Sequence, residues 1–456
     1  MTHPDSYLEE VTQRARDAGV QLVAFLWCDN AGVIRNKATH IDNLPGRFTS
    51  GIGFSSAMQA LRIGDVLEQV KGMGPVGEFR VVPDLDTFTL LPYAPKRALA
   101  LCDLVNLDGA AYSACPRTFL KRMIAQAADR GLHMVSSLEP EWTLATKENG
   151  VYVGADESAA FSSIGMIAPM DTIDDIVTAM TEQGLRIGVV HPEAGHGQQE
   201  ISLMHEDALR AADNQIIYRE TVRNVAWRHG YYASFAPKPF KGQSGNGCHI
   251  HLSAWDADRH ENLFSAGDEP YALSEMGQHF LAGMLEHMPG LMALTAPSVN
   301  SYRRFEAGYY AGVFNTYGPD NREAAVRIPS ALRHDRAGTV NLEFKPSDSA
   351  ANPYIALGAL IAAGLDGVAR SLPLNENLNV DVDPAALSQA ERDRRGIARL
   401  PGTLAEATAA LEADQFLLDA LGPALSTSYI AVRKGEAKFF DGMDAQAETD
   451  LHFFRY

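Results

Sequence analysis

Residues 241–253 read KGQSGNGCHIHLS. Three glycines, Gly242, Gly245 and Gly247, run into His249 and His251, and the order His249, Ile250, His251 has the period of two that a strand imposes. Both imidazoles therefore share one face, at the end of a loop whose missing β-carbons let backbone come close to a ligand. A lone strand histidine is more often a satisfied core or surface residue. The weight of the stretch depends on what the rest of the chain sets beside it.

The chain has 456 residues, enough for two domains, and 46% of them are hydrophobic, ample for a core. Its formal charge is −18, with a pI near 5.2, which argues against nucleic acid or an anionic membrane surface as partner. An anionic ligand would have to be met through metal ions and a local cluster of Arg and Lys. No apolar run reaches the roughly 20 residues of a membrane helix, and the first residues, MTHPDSYLEEVTQRARDAG, lack a signal-peptide core. A cytoplasmic enzyme is expected. Cys28, Cys102, Cys115 and Cys248 are too widely spaced to suggest a zinc site or a disulfide framework.

Outward from the glycine loop, the pattern divides the chain near residues 106–115. Before it, residues 4–18 read as an amphipathic helix and the alternation on both sides of 29–32 as a hairpin; residues 43–77 are Gly- and Ser-rich, with SGIGFSSAMQ poorly periodic and KGMGPVGE a loop. EFRVVPDL, TFTLLPY and 98–105 read as strands. After it, Pro116 opens a helix, and longer helices alternate with strands. The strands fall at 134–145, 185–190, EISLMH, GYYASFAPKPF, AAVRIPS and TVNLEFKPSD. Helices are expected at 171–183, at 206–228, at 275–296 with a break at Pro289–Gly290, and at 350–371 with Pro353 in the first turn, and helical pattern closes the chain. The expected boundaries are 1–112 and 113–456.

In MVSSLEPEWTL, Glu139 and Glu141 lie two apart on a strand, so their carboxylates face the same side. Two such groups repel unless a cation or a proton lies between them. Glu193 and Glu200 bracket a glycine-containing turn that folds them toward each other, and Glu343 sits in an apolar strand. Any one of these acids alone would pass for a solvated strand residue. Together with His249 they form an oxygen-rich set without thiolates, which suits Mg²⁺ or Mn²⁺ better than zinc, and six donors suit two or more ions. The second cluster is cationic: Arg303, Arg304, Arg322, Arg327 and Lys345. Surface ion pairing is the bland account of it; neutralising a polyphosphate or a phosphoryl transition state is the functional one.

LEPEW, HPEAGHGQQE, PKPFKGQSGNGCHIH, NSYRR, NREAAVRIP, LEFKP and AANPYIALGALIAAGLDG occur in this order. In that combination the chain resembles the glutamine synthetase family over nearly its whole length. The resemblance implies an α+β fold, with a small N-terminal β-grasp domain and a large catalytic domain built on a curved antiparallel sheet flanked by helices. It also implies stacked rings of subunits, commonly dodecamers, with each site completed by the neighbour's N-terminal domain. ATP would phosphorylate the γ-carboxylate of L-glutamate, and an amine would then displace phosphate. Glu141, Glu193 and Glu200 match the first metal site, and Glu139, His249 and Glu343 the second; Glu141, Glu193 and His249 are expected to reach substrate as well. Gly245 and Arg304 match positions that hold glutamate, Arg322 and Arg327 those that face the phosphates, and His251 and Ser253 those near the nucleotide.

The departures concern the amine. Ammonia-using members carry a Glu in the loop after NSYRR that binds ammonium and takes its proton; here that position is Tyr310. Their flap has an Asp after a Phe, whereas here Phe54 is followed by Ser55 and Ser56. Desolvating NH₄⁺ with neutral groups alone costs several kcal/mol. An organic amine could instead gain apolar contact with Tyr310, and Glu306 could replace part of the missing base. Lys345 stands where the family usually has Arg, turning a bidentate phosphoryl contact into a point contact. Asn379 stands where some members carry an adenylylated Tyr, so that control is not expected. The leading expectation is an ATP-dependent glutamate–amine ligase making γ-glutamyl alkylamides. The alternatives are an ammonia-using glutamine synthetase, a non-catalytic nucleotide or metabolite binder, and a metal-dependent amide hydrolase suggested only by the His-x-His strand.

Overall fold

The computed structural model describes residues 5–267 and 271–456. The amphipathic segment forms a helix at Asp5–Asp17, Pro4 lying outside the described residues. It closes one side of a six-stranded sheet made of β1 (Leu22–Cys28), β2 (Ile34–His40), β3 (Ile52–Ser55), β4 (Glu78–Pro83), β5 (Thr89–Leu90) and β6 (Arg97–Val105). The order is β2-β1-β6-β4-β3, with β5 also on β6, and β1 runs parallel to β6. Val11 and Ala15 of the helix meet Phe25, Trp27, Phe79 and Val81 in a small core of their own.

Within the Gly- and Ser-rich stretch 43–77, residues 71–77 form the loop expected for KGMGPVGE, and a helix the sequence did not show stands at its start. Leu44–Ser50 is a helix whose Leu44 is buried and whose Pro45 occupies the first turn, where a missing N–H costs nothing. Gly51, at φ +64°, ends it and β3 follows at the sheet edge. The segment is too short and too polar for its period to show in sequence. TFTLLPY and GYYASFAPKPF shorten to β5 and to Tyr232–Ser234, because Pro92, Pro237 and Pro239 cannot donate to a ladder.

Ten strands form the second sheet: β7 (His133–Glu148), β8 (Val151–Gly154), β9 (Ile187–Pro192), β10 (Gln198–Leu203), β11 (Glu206–Asp207), β12 (Tyr232–Ser234), β13 (Cys248–Trp255), β14 (Tyr317–Pro319), β15 (Val326–Ile328) and β16 (Leu342–Phe344). Its path is β14-β15-β16-β13-β7-β10-β9, antiparallel except for β14 on β15. One face packs on the helix Ala208–Arg228, where the indole N–H of Trp142 donates to the Tyr218 hydroxyl at 2.9 Å. The expected break in the long apolar helix lies at His287 rather than at Pro289–Gly290, and Pro289 opens the second helix, Met288–Thr295. Proline is tolerated in a first turn, so the helix restarts just before it.

The tip of the first hairpin is pinned to the segment 350–352, just before the helix that starts at Pro353. A β-carbon on Gly32 would lie 1.8 Å from the Ala350 carbonyl oxygen, and Asn352 Nδ2 donates to the carbonyls of Cys28 and Asp29 at 2.9 and 3.1 Å. Among the described residues no helix is long and apolar enough to cross a membrane.

Candidate active site

Strand register assembles the acids. Opposed residues of antiparallel strands share a face. Glu200 of β10 pairs with Glu141 of β7 on one side and His191 of β9 on the other. Glu139 of β7 lies opposite His249 of β13. His251 of β13 lies opposite Glu343 of β16, which in turn faces Arg327 of β15. Since residues two apart also share a face, these rungs form one polar surface, while Leu138, Trp142, Ile250, Leu252 and Phe344 fill the core behind it.

The surface holds two donor groups. The ligand atoms of Glu139, His251 and Glu343 lie within 4.8 Å of one another, as do those of His191, Glu193 and Glu200. His191, which sequence alone did not single out, places Nδ1 3.4 Å from Glu193 Oε1 and Nε2 3.4 Å from Glu200 Oε1. Its spacing two before Glu193 was the available signal. Glu141 joins from the neighbouring strand, accepting from the Gly247 N–H at 3.0 Å and from Gln198 Nε2 at 2.8 Å. Gln198 is a second residue the sequence did not single out.

Burial, with Glu193 and Glu200 close by, pushes Glu141 up to about 8; burial and Glu200 push Glu193 up to about 7. Contact with Glu200 carries His191 up to about 9, against its burial. Around the other group burial alone would raise Glu139, but His251 draws it down to about 2. Burial would lower His251, yet Glu139, 3.2 Å from Nε2, holds it up at about 9. Burial and the Lys345 ammonium depress His249 to about 3, leaving a neutral imidazole whose Nδ1 is 3.4 Å from Glu343 Oε1. Glu343 is 2% exposed and would be raised by burial, but Lys345, His251, His249 and Arg327 keep it ionised. Protonated His191 and His251 are the counter-charges of the two carboxylate groups. Hard divalent cations fit the same positions by donor type, and a neutral, desolvated His249 is the form that binds metal.

The cations divide. Arg327 Nη1 lies 2.9 Å and Lys345 Nζ 3.3 Å from the Glu343 carboxylate. Arg304 is buried under the glycine loop with Nη2 donating to the Ser347 carbonyl at 2.8 Å, and its buried Nε has no hydrogen-bond partner among the described residues. A β-carbon on Gly245 would lie 2.4 Å from the Pro237 carbonyl oxygen and 2.7 Å from Arg304 Cγ, so only glycine lets the loop close on Arg304. Arg322 is exposed. Arg303 leaves the cluster: its guanidinium pairs with Glu448 of the C-terminal helix at 3.0 Å, because successive residues of the turn Asn300–Arg303 and its cap point apart.

His251 and Ser253 also line a cleft of about 340 Å³ with Ser137, Val189, Trp255 and Asn341. The His251 ring thus borders both the acids and this cleft, with Nδ1 2.8 Å from Asn341 Oδ1. Tyr310, at φ +55° and 57% exposed, tops the loop after Arg304. Ser55 is on the edge strand of the other sheet, with its hydroxyl 3.2 Å from the Gly74 carbonyl, and among the described residues no hydrogen bond or ion pair links it to the acids.

The model for the glutamine synthetase catalytic domain matches residues 113–452, and that for the glutamine synthetase N-terminal domain matches residues 8–112. The chain is 38% identical over 442 residues to gamma-glutamylpolyamine synthetase GlnA3 of Streptomyces coelicolor, covering 96% of this chain and 94% of that one. It is 32% identical over 477 residues to glutamine synthetase of Halobacterium salinarum, covering both in full (100% and 100%). Among solved structures, a novel glutamine synthase homolog superposes with a TM-score of 0.85 at 31% identity, covering 96% of this chain and 99% of that one. A GmaS/ADP complex does so with a TM-score of 0.84 at 30% identity, covering 96% and 98%. The glutamine synthetase-like fold, the two matched domains and the shared polar face have one reading: the chain belongs to the glutamine synthetase family, whose members are ATP-dependent ligases using divalent metals.

Proposed function

We propose that the chain joins the γ-carboxylate of L-glutamate to a small organic amine, through a γ-glutamyl phosphate, with release of ADP and phosphate. The observation that carries the choice of amine is Tyr310: the loop after Arg304 presents an exposed aromatic side chain, which offers apolar contact to an organic amine, at the position where the ammonia-using pattern has a side-chain carboxylate. Similarity to a gamma-glutamylpolyamine synthetase over 96% of the chain supports an amine larger than ammonia.

In this reading Glu141, Glu193 and Glu200 hold one divalent ion, and Glu139, His249 and Glu343 a second, either Mg²⁺ or Mn²⁺. Bound there, the ions would supply charge neutralisation between the γ-carboxylate and the transferring phosphoryl group. Arg304, buried and with an Nε that has no partner among the described residues, orients the glutamate carboxylate against the Gly245 loop. Arg327, Lys345 and the exposed Arg322 stabilise charge on the phosphoryl side. Glu141, Glu193 and His249 border the reacting carboxylate, and His251 and Ser253 orient the nucleotide in their cleft. We further read 1–112 and 113–456 as the two domains, and a cytoplasmic ring-shaped homo-oligomer, a dodecamer by family resemblance, in which Ser55 reaches the amine site of a neighbour.

The test is phosphate release with ATP, Mg²⁺ and glutamate while the amine is varied among ammonium, methylamine, ethylamine, ethanolamine and putrescine. An organic amine should give the highest kcat/KM. A strong preference for ammonium would refute the reading in favour of glutamine synthetase, and ATP binding without turnover across the panel would favour a non-catalytic binder.

A further inference from the structure

The loop that lacks an acid at residue 310 has one beneath it. Glu323, 8% exposed, places Oε1 3.0 Å from the backbone N–H of Tyr310. Among the described residues nothing takes its other carboxylate oxygen. The segment carrying Glu323 is well anchored: its own N–H donates to Asn321 Oδ1 at 3.0 Å, and Asn321 Nδ2 donates to the carbonyls of Val380 and Val382, each at 2.9 Å.

The loop is pressed onto that segment. Gly308, Tyr310 and Gly312 have φ of +85°, +55° and +66°, and a β-carbon on Gly312 would lie 2.8 Å from Ala325 Cα. In the left-handed region a tyrosine is strained, so something must compensate for holding it there; the carboxylate accepting its N–H does so. The same geometry turns the Tyr310 side chain outward and leaves a carboxylate under the backbone of residue 310.

Glu323 also lies at a chemically suitable place along the chain. Arg322 precedes it, and Arg327, which contacts the Glu343 carboxylate, follows four residues later. The loop above it already attracts an ammonium group: Lys238 Nζ stands 5.1 Å from the centre of the Tyr309 ring. The loop thus offers a cation an aromatic face at Tyr309, next to the residue whose N–H is held by Glu323.

We propose that Glu323 is the amine-binding carboxylate of this enzyme, supplied by the 321–325 segment in place of a side chain at residue 310, with one oxygen fixing the loop and the other accepting a hydrogen bond from the charged amine. This rests on the ligase reading above, but not on which amine is preferred.

The test is Glu323→Gln in the full-length enzyme. Glutamine keeps an oxygen for the Tyr310 N–H and removes only the charge. KM for methylamine and for ammonium should rise by about tenfold or more, while KM for glutamate and ATP stays within about twofold. Hydroxylamine, mostly uncharged at neutral pH, is the control, and its KM should not rise. Unchanged KM for the charged amines overturns the proposal, and so does an equal rise for hydroxylamine, which would mark a purely structural tie. If the wild-type enzyme prefers ammonium, the organic-amine reading falls while Glu323 is still judged on ammonium. A wild-type enzyme that turns over neither cationic amine overturns both.

Discussion

Arg327 and Glu343 face each other across two short strands, with guanidinium Nη1 2.9 Å from the buried carboxylate and Lys345 Nζ 3.3 Å from its other oxygen. Glu343 is therefore an ionised acid kept inside the protein by two cations. Arg327→Ala leaves it half-compensated, which should cost about 3 kcal/mol or less because Lys345 remains. Urea denaturation of the two proteins measures this. The same variant should lose most phosphate release, since under the proposed function Arg327 also faces the transferring group.

The crowding of Glu141, Glu193 and Glu200 makes metal binding a source of stability. At a concentration of Mg²⁺ or Mn²⁺ about 100 times its Kd, the folded state should gain about 2.7 kcal/mol per site. Thermal melts with and without EDTA test it, and Glu343→Ala and His249→Ala should both abolish phosphate release at saturating metal. Retained turnover in either variant would refute the metal assignment.

Gly245→Ala should damage glutamate binding more than the fold as a whole. The added β-carbon meets the Pro237 carbonyl and the Arg304 stem, so the loop has to lift at a cost of roughly 1–3 kcal/mol. A raised KM for glutamate with an unchanged KM for ATP is expected.

Tyr310→Glu restores a side-chain acid to the amine loop. If Tyr310 discriminates against ammonium, the ratio of kcat/KM for ammonium to that for methylamine should rise by about tenfold. A ratio that does not move would place Tyr310 outside the amine pocket.

His287 ties three helices, with Nδ1 2.7 Å from Asp414 and Nε2 3.1 Å from Asp366. Burial would lower its pKa, but the two carboxylates raise it above the ordinary histidine value. The folded protein thus binds this proton more tightly than the unfolded chain. The stabilisation is fully present below the unfolded value of about 6.5 and is lost as pH rises through the higher folded value. His287→Ala should therefore cost more at pH 6 than at pH 9, by about 2 kcal/mol or less, read from denaturation midpoints at both pH values.

Some of the site was legible residue by residue. The pleat alone places Glu139 with Glu141 and His249 with His251, and the donor types by themselves point to hard cations. His191 and Gln198 were harder to read: the spacing of His191 two before Glu193 hints at a shared face, but nothing in VVHPEAGHGQQE tells whether that face meets Glu200 or solvent. Arg303 looked like a member of the cationic cluster until the C-terminal helix supplied Glu448. The helix at Leu44–Ser50 was hidden for a different reason: a single buried apolar anchor leaves no period to read.

By itself the sequence determined which residues share a face within one strand, where two helices start, at Pro116 and Pro353, and, through the ordered motifs, the family fold. These follow from alternation along a strand and from fixed backbone geometry, which need only near neighbours. The tertiary structure decided which faces meet. The rungs His191–Glu200–Glu141 and His251–Glu343–Arg327 depend on register between strands far apart in sequence, and a slip of one residue would turn a whole strand's acids into the core. It also decided that the carboxylate under the Tyr310 backbone belongs to Glu323, thirteen residues further on, since only the packed loop brings the two together.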